Sequence, residues 1–350
     1  MFANRLKKIG KDWFLLGMVA AVVLASLFPD VGRHGGVLHA DRLADGGIFL
    51  IFLFHGVGLS TESMLRGLGK WRLHLVVQVM TFALFPALWF VLNAFVGGLM
   101  PRDLLIGFLY LCALPSTISS SVAMTAVGKG NVPGAIFNAT LSSLLGIFLT
   151  PLIVSLALSS SGGQGLSLAD TMLNIAVLLF LPFVIGQALR LLVGDWFGRY
   201  KKHIDTFDKL VILMIVFASF CDSVKGGLWT NYGAGALGVT MVGSTVLLCI
   251  VLAIGVFTTR RMGFNHEDEV AAVFCGSKKT MASGVPMAQL IFGANPAIGV
   301  FVLPIMFYHP IQLFVCSVLA DRYAQRARRA KETAQAVAVA EGAGVGAQAA

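Results

Sequence analysis

Apolar runs of about twenty residues, separated by short polar stretches, recur from residue 12 to residue 320. Each is long enough to cross a hydrocarbon core of about 30 Å as a helix. The pattern divides into ten spans: 12–29, 44–61, 73–98, 103–129, 131–157, 168–191, 206–223, 236–258, 266–293 and 295–320. Proline and glycine mark many of the ends, among them Pro29, Pro101, Gly130 and Pro296. The expected fold class is an all-α polytopic membrane protein with ten transmembrane helices. No convincing small-residue cleavage site follows the first run, so it is expected to remain as a span and not to be removed as a signal peptide.

Two of the ten runs are interrupted, the fourth and the ninth. The fourth reads "LLIGFLYLCALPSTISSSVAMTAVGKGN" and the ninth "DEVAAVFCGSKKTMASGVPMAQLIFGANP". In each, an apolar first half gives way to small polar residues and then to a second helical stretch. Ten spans split into five and five, and the first span of each half enters from opposite sides. The halves 12–157 and 168–320 are therefore expected to be inverted five-helix repeats, with broken crossing helices 4 and 9. Broken helices at matching positions of inverted repeats point to a transporter binding site.

Charge fixes the orientation. The chain has 350 residues, of which 57% are hydrophobic and 12% charged, against about 25% charged in an ordinary soluble domain. The net charge of +9 by itself invites a nucleic-acid reading. Its distribution argues against one. Of 26 Lys and Arg, twenty fall on one side of the ten-span scheme and four on the other, leaving Lys278 and Lys279 inside span 9. The positive-inside rule then places both termini, residues 1–11 and 321–350, in the cytoplasm. The tail begins basic and turns low-complexity, predicting a short helical start followed by disorder. Its basic start is suited to contact with the lipid bilayer.

The candidate chemistry lies at the two breaks. Ser116, Thr117, Ser119, Ser120 and Ser121 crowd the first, beside Pro115, and Ser277, Lys278, Lys279, Thr280 and Ser283 form the second. Hydroxyls also serve as ordinary contacts between membrane helices. Buried lysines do not, because a charged side chain near the bilayer centre costs at least about 2.5 kcal/mol. By helix rise Lys278 lies about 18 Å from the cytoplasmic end of its span, a depth that disfavours snorkelling from that side. Gln78 on span 3, and Asn138 and Thr140 on span 5, are further polar candidates. His55 and His309 lie within spans and suit packing hydrogen bonds or a proton relay, and His74 suits the interface. The five cysteines lack metal-ligand spacing and read as reduced packing residues. A membrane enzyme finds no nucleophile–base pair, metal cluster or phosphate loop.

"FLYLCALPSTISSSVAMTAVGKGN", "QVMTFALFP" and above all "FCGSKKTMASGVPMAQLIFG" resemble the bile acid:sodium symporter family, in its SBF-like branch, over roughly residues 10–325. The resemblance implies a core domain of spans 3–5 and 8–10, in which spans 4 and 9 cross, and a panel of spans 1, 2, 6 and 7. It implies carriage of a small organic anion with sodium across the inner membrane by alternating access. Position by position, Ser120 and Ser121 stand where sodium-coupled members have a serine and an asparagine. Gln78 matches a sodium-holding glutamine, and Asn138 and Thr140 are the nearest span-5 ligands. In the second break Ser277 replaces a glutamate, and Met281 and Ala282 replace two amides. No acidic residue lies deep in a span, and like charges about 4 Å apart repel by several kcal/mol at an effective dielectric near 20. Sodium coupling is thus weakened at this site, with no other cofactor expected. Two alternatives stay open: a proton-coupled or uncoupled transporter with lysine replacing the coupling cation, and a non-transporting membrane regulatory protein.

Overall fold

Hydrocarbon offers no partner to a backbone N–H or C=O, so apolar runs of this length fold as helices. A computed structural model of the chain describes residues 13–58, 69–98, 100–160, 168–293 and 295–348, and among these there is no strand. In chain order the helices are α1 (Trp13–Leu27), α2 (Pro29–Gly32), α3 (Ala40–Gly58), α4 (Trp71–Val79), α5 (Phe85–Val96), α6 (Arg102–Ala113), α7 (Ser119–Val127), α8 (Val132–Ser160), α9 (Leu168–Lys225), α10 (Leu228–Asn231), α11 (Gly233–Arg261), α12 (His266–Ser277), α13 (Gly284–Phe292) and α14 (Ile298–Gln348). By length and composition, five helical stretches among the described residues can each cross a membrane: 71–96, 132–158, 177–225, 235–261 and 298–330. The pairs α6/α7 and α12/α13 are each one apolar run broken in the middle.

The helices pack in two groups. α1, α2 and α3 lie on α9. In the second group α14 packs on α6 and α11, α12 packs on α4, α7, α8 and α11, and α8 packs on α6 and α7. α9 also touches α8, α13 and α14, which joins the groups.

A loop is expected over residues 192–205, but helix continues through them. The stretch cannot be straight. Phe183 and Phe207 would stand about 36 Å apart along a straight helix. Yet both meet the last turns of α3: a Cβ on Gly56 would lie 2.2 Å from the Phe183 carbonyl oxygen, and the rings of Phe54 and Phe207 are 5.9 Å apart. The chain therefore reverses between them. The tail also differs from expectation, since α14 runs on to Gln348. Its Ala, Glu, Lys, Arg and Gln content is that of strong helix formers.

Between α4 and α5 the chain makes one wide turn, Met80–Leu84, in which the Phe85 N–H bonds to the Met80 carbonyl five residues back. A regular helix would send that N–H to Thr81. The next residue, Pro86, has no N–H to give. The Thr81 carbonyl is thus left for a partner outside the helix.

Candidate functional site

Pro115 ends α6, because it lacks an N–H and drives Leu114 into extended backbone (φ −65°, ψ 149°). The second break opens the same way, with Lys278 extended at φ −92°, ψ 146°. The two breaks meet: the Thr280 N–H donates to the Pro115 carbonyl at 3.0 Å. Ser116 Oγ donates to the Cys275 carbonyl at 2.6 Å, and Ser121 Oγ to the Phe274 carbonyl at 3.3 Å. First-break hydroxyls thus bond carbonyls in the last turn of α12. Neighbouring helices hold the crossing. Ser142 Oγ on α8 accepts from the Ser116 N–H at 2.9 Å, Thr150 Oγ1 donates to the Ala113 carbonyl at 2.8 Å, and the Tyr308 hydroxyl on α14 donates to the Ser277 carbonyl at 2.7 Å.

Both lysines are fully buried at this crossing, which excludes snorkelling. Their surroundings differ. The Lys279 ammonium donates to the carbonyls of Thr81 at 2.9 Å, Cys112 at 2.9 Å and Leu114 at 2.6 Å. The first is the carbonyl released by the wide turn and Pro86. The other two lie at the C-terminal end of α6, where the helix dipole is negative and the last carbonyls lack helical partners. The Phe85 ring faces the ammonium 3.9 Å from its centroid. Gln312 on α14 clamps the Lys279 backbone, accepting from its N–H at 2.9 Å and donating to its carbonyl at 2.8 Å. Among the described residues the Lys278 ammonium has one oxygen partner, the Ser120 carbonyl at 2.8 Å, and it lies 5.7 Å from the centre of the Phe274 ring.

The other predicted positions are distributed unevenly. Ser277 Oγ turns back onto the Val273 carbonyl at 2.6 Å. Ser120 Oγ meets Thr117 Oγ1 at 3.4 Å, and Ser283 Oγ meets Thr280 Oγ1 at 3.5 Å, both weak contacts. Ser119 is exposed and points out of the crossing. Thr140 is buried on α8, and among the described residues no hydrogen bond ties it to the crossing. Gln78 Nε2 donates to the Asn138 carbonyl at 3.2 Å, and Asn138 Nδ2 to the Gly134 carbonyl at 2.9 Å. The two amide oxygens, Gln78 Oε1 and Asn138 Oδ1, are buried with no hydrogen-bond partner. The helices that carry them, α4 and α8, both pack on α12: Met80 abuts Gly276, and the Ala135 carbonyl receives Cys275 Sγ at 3.6 Å.

Among the described residues the crossing contains no carboxylate, and no group of three acidic, His or Cys side chains is suited to a metal. The buried carboxylate on α12 is Glu269, about 13 Å before Lys278 by helix rise. Arg260, Arg326 and the Tyr323 hydroxyl hold it. His74 is buried against Phe137, with ring centres 4.2 Å apart, where the sequence suggests an interfacial position. His309 Nδ1 lies 3.2 Å from Gln312 Nε2, and His55 packs edge-on to Phe52. All five cysteines are free, and Cys249 is exposed where a buried packing residue is expected.

A family model for SBF-like CPA transporters matches residues 12–325. The chain belongs to the SBF-like CPA transporter family. It is 45% identical over 312 residues to Escherichia coli YfeH, described as a candidate symporter, covering 89% of this chain and 92% of that one. It is 43% identical over 319 residues to an uncharacterised protein of Pseudomonas aeruginosa, covering 90% and 93%. Rat sodium/bile acid cotransporter 7 is 32% identical over 317 residues, again covering 90% and 93%. Family membership makes the chain a membrane transporter of a small substrate, and not an enzyme.

Six participants escape a reading of the sequence: Thr81, Phe85, Ser142, Thr150, Tyr308 and Gln312. Thr81 and Phe85 act through the wide turn, for which "TFALFP" gives one signal, a proline inside an apolar run. Gln312 is an amide deep inside span 10, the same kind of signal that singles out Gln78. Tyr308 carries no such mark.

Proposed function

We propose that the protein is a secondary transporter of the inner membrane that moves a small organic anion by alternating access. In this reading Lys279 supplies a fixed positive charge at the crossing, where sodium-coupled members hold a cation. The observation that carries the reading is the Lys279 ammonium bonded to three backbone carbonyls. Hydrogen bonds to a charged group contribute about 1.5–3 kcal/mol each. Three of them are of the size needed to offset the several kcal/mol that desolvating an ammonium costs. A lysine so placed joins α4–α5, α6 and α12 as a bound cation would.

The same reading takes ten passes, with α9 contributing two and each broken pair one, in two inverted halves. The excess of Lys and Arg on one side supports cytoplasmic termini. Lys278, with one carbonyl partner, keeps two N–H donors for the carboxylate or sulfonate of the transported anion when the crossing opens. The test is a titration of the purified protein with a bile acid and a panel of simple carboxylates, following the unfolding temperature. At least one anion is expected to raise it saturably in wild type and not in Lys278→Ala. No saturable shift with any anion, or an unchanged shift in the variant, contradicts the reading.

One observation favours a sodium-coupled variant of this function. Gln78 Oε1 and Asn138 Oδ1 are buried acceptors without partners, and an unsatisfied group of this kind costs about 1–3 kcal/mol. A monovalent cation between them would satisfy both. Sodium is then expected to stabilise wild type saturably at constant ionic strength, and Gln78→Leu to abolish that effect. Equal sodium dependence in the two proteins removes this variant.

A further inference from the structure

A groove of about 810 Å³ lies between α11 and α14, and none of the crossing residues described above lines it. Its walls are apolar and include Leu252, Val256, Phe257, Val315, Val318 and Leu319. Its deep end is at Cys249, and its other end is rimmed by Arg260, Arg261 and Arg322. Phe257 is 61% exposed although it is a large apolar residue. In a membrane protein such a surface meets lipid.

The dimensions are those of one leaflet. Cys249 and Arg260 lie eleven residues apart on a single helix, about 16 Å by helix rise. That is half of a hydrocarbon core of about 30 Å. An acyl chain lying in the groove therefore puts its phosphate at the arginines. The three arginines are not equally free. Arg260 is engaged with Glu269 at 3.1 Å, and Arg261 stacks on Phe257 with its guanidinium 5.5 Å from the ring centre. Arg322 is exposed and has no ion-pair or hydrogen-bond partner among the described residues. Glu269 is already held by Arg260 and Arg326, so its charge does not oppose an anion at Arg261 and Arg322. Arginine binds phosphate with two parallel N–H donors, and basic pockets between membrane helices hold anionic head groups.

We infer that this groove is a binding site for an anionic phospholipid, with its acyl chains along α11 and α14 and its phosphate on Arg261 and Arg322. The occupant is a lipid and not a soluble anion because the long dimension of the groove is apolar and spans a leaflet. The transported substrate is assigned to the crossing, so the two sites are separate.

The test uses the full-length protein in detergent, with phosphatidylglycerol or phosphatidylcholine added in mixed micelles and the unfolding midpoint followed. Phosphatidylglycerol is expected to raise the midpoint saturably, with little effect from phosphatidylcholine. Arg261→Gln/Arg322→Gln is expected to weaken the apparent affinity at least tenfold, and the exposed control Lys201→Gln/Lys202→Gln to leave it unchanged. Both altered arginines lie on the surface, and Arg260 is kept so that Glu269 stays paired. The proposal is overturned if phosphatidylcholine or inorganic phosphate alone gives the same shift. It is also overturned if the arginine variant behaves as wild type, or if the lysine control loses as much. The wild-type comparison of the two lipids decides the question even where the arginine variant does not fold.

Discussion

An ammonium carries three N–H donors. Lys279 places all three on backbone carbonyls, and Lys278 places one. Removing Lys279 strips the partner from three buried oxygens at once. Lys279→Ala is therefore expected to lose about 3–5 kcal/mol, since each buried acceptor left unpaired costs about 1–3 kcal/mol. Lys278→Ala leaves one carbonyl and is expected to lose about 1–3 kcal/mol. Denaturant unfolding of the two variants in one detergent checks the order, and equal losses would mean that the lysines share one role. Lys279→Arg is not expected to restore stability, because a planar fork does not fit three converging carbonyls. That the two lysines matter is legible in the sequence, since adjacent charges in an apolar run demand a reason. Their division of labour is not. It depends on Thr81, Cys112 and Leu114, all more than 160 residues away in the chain.

The two breaks are the elements best announced by the sequence, because Pro115 and the polar run from Ser277 to Ser283 interrupt apolar patterns that otherwise continue. The wide turn at Met80–Leu84 is written more faintly, whereas the reversal within α9 falls in the polar stretch 192–205, with Gly194 and Gly198, that already separates two apolar runs, although helix continues through it. Close helix approach is fainter still. A Cβ on Gly56 would lie 2.2 Å from the Phe183 carbonyl oxygen, and one on Gly186 would lie 2.1 Å from the Leu53 carbonyl oxygen. Backbone meets backbone there, so neither contact can yield by a side-chain rotation. Gly56→Ala is expected to push α3 off α9 and lose about 1–3 kcal/mol. On the same helix Gly46 has open space around its Cβ direction. Gly46→Ala is expected to gain about 0.5–1 kcal/mol from helix propensity alone. Thermal unfolding of both variants reads the contrast, and a loss in Gly46→Ala as large as in Gly56→Ala would refute the backbone-contact explanation.

At the scale of the molecule, α1–α3 lie on α9, while α4–α8 and α11–α14 pack on one another about the crossing. That division suits rocking of one group against the other about a fixed site. Glu269 ties three elements of the second group, through Arg260 of α11 and through Tyr323 and Arg326 of α14. Glu269→Gln is expected to loosen that end of the group, read as faster amide exchange in α11 and α14 with little change in α3. Uniformly faster exchange through α3 as well would contradict a separate second group. Charge asymmetry along the chain is what supports the proposed orientation; which carbonyls the crossing leaves open, and what fills them, emerges only when distant segments meet.

The most direct test of the built-in charge compares sodium dependence in wild type and Lys279→Ala. Unfolding temperature is measured against sodium at constant ionic strength, with choline as the replacement cation. If the ammonium occupies the place of a bound cation, the variant unfolds at lower temperature and shows a saturable sodium-dependent recovery greater than any in wild type. Sodium effects of the same size in both proteins, or none in the variant, would contradict it.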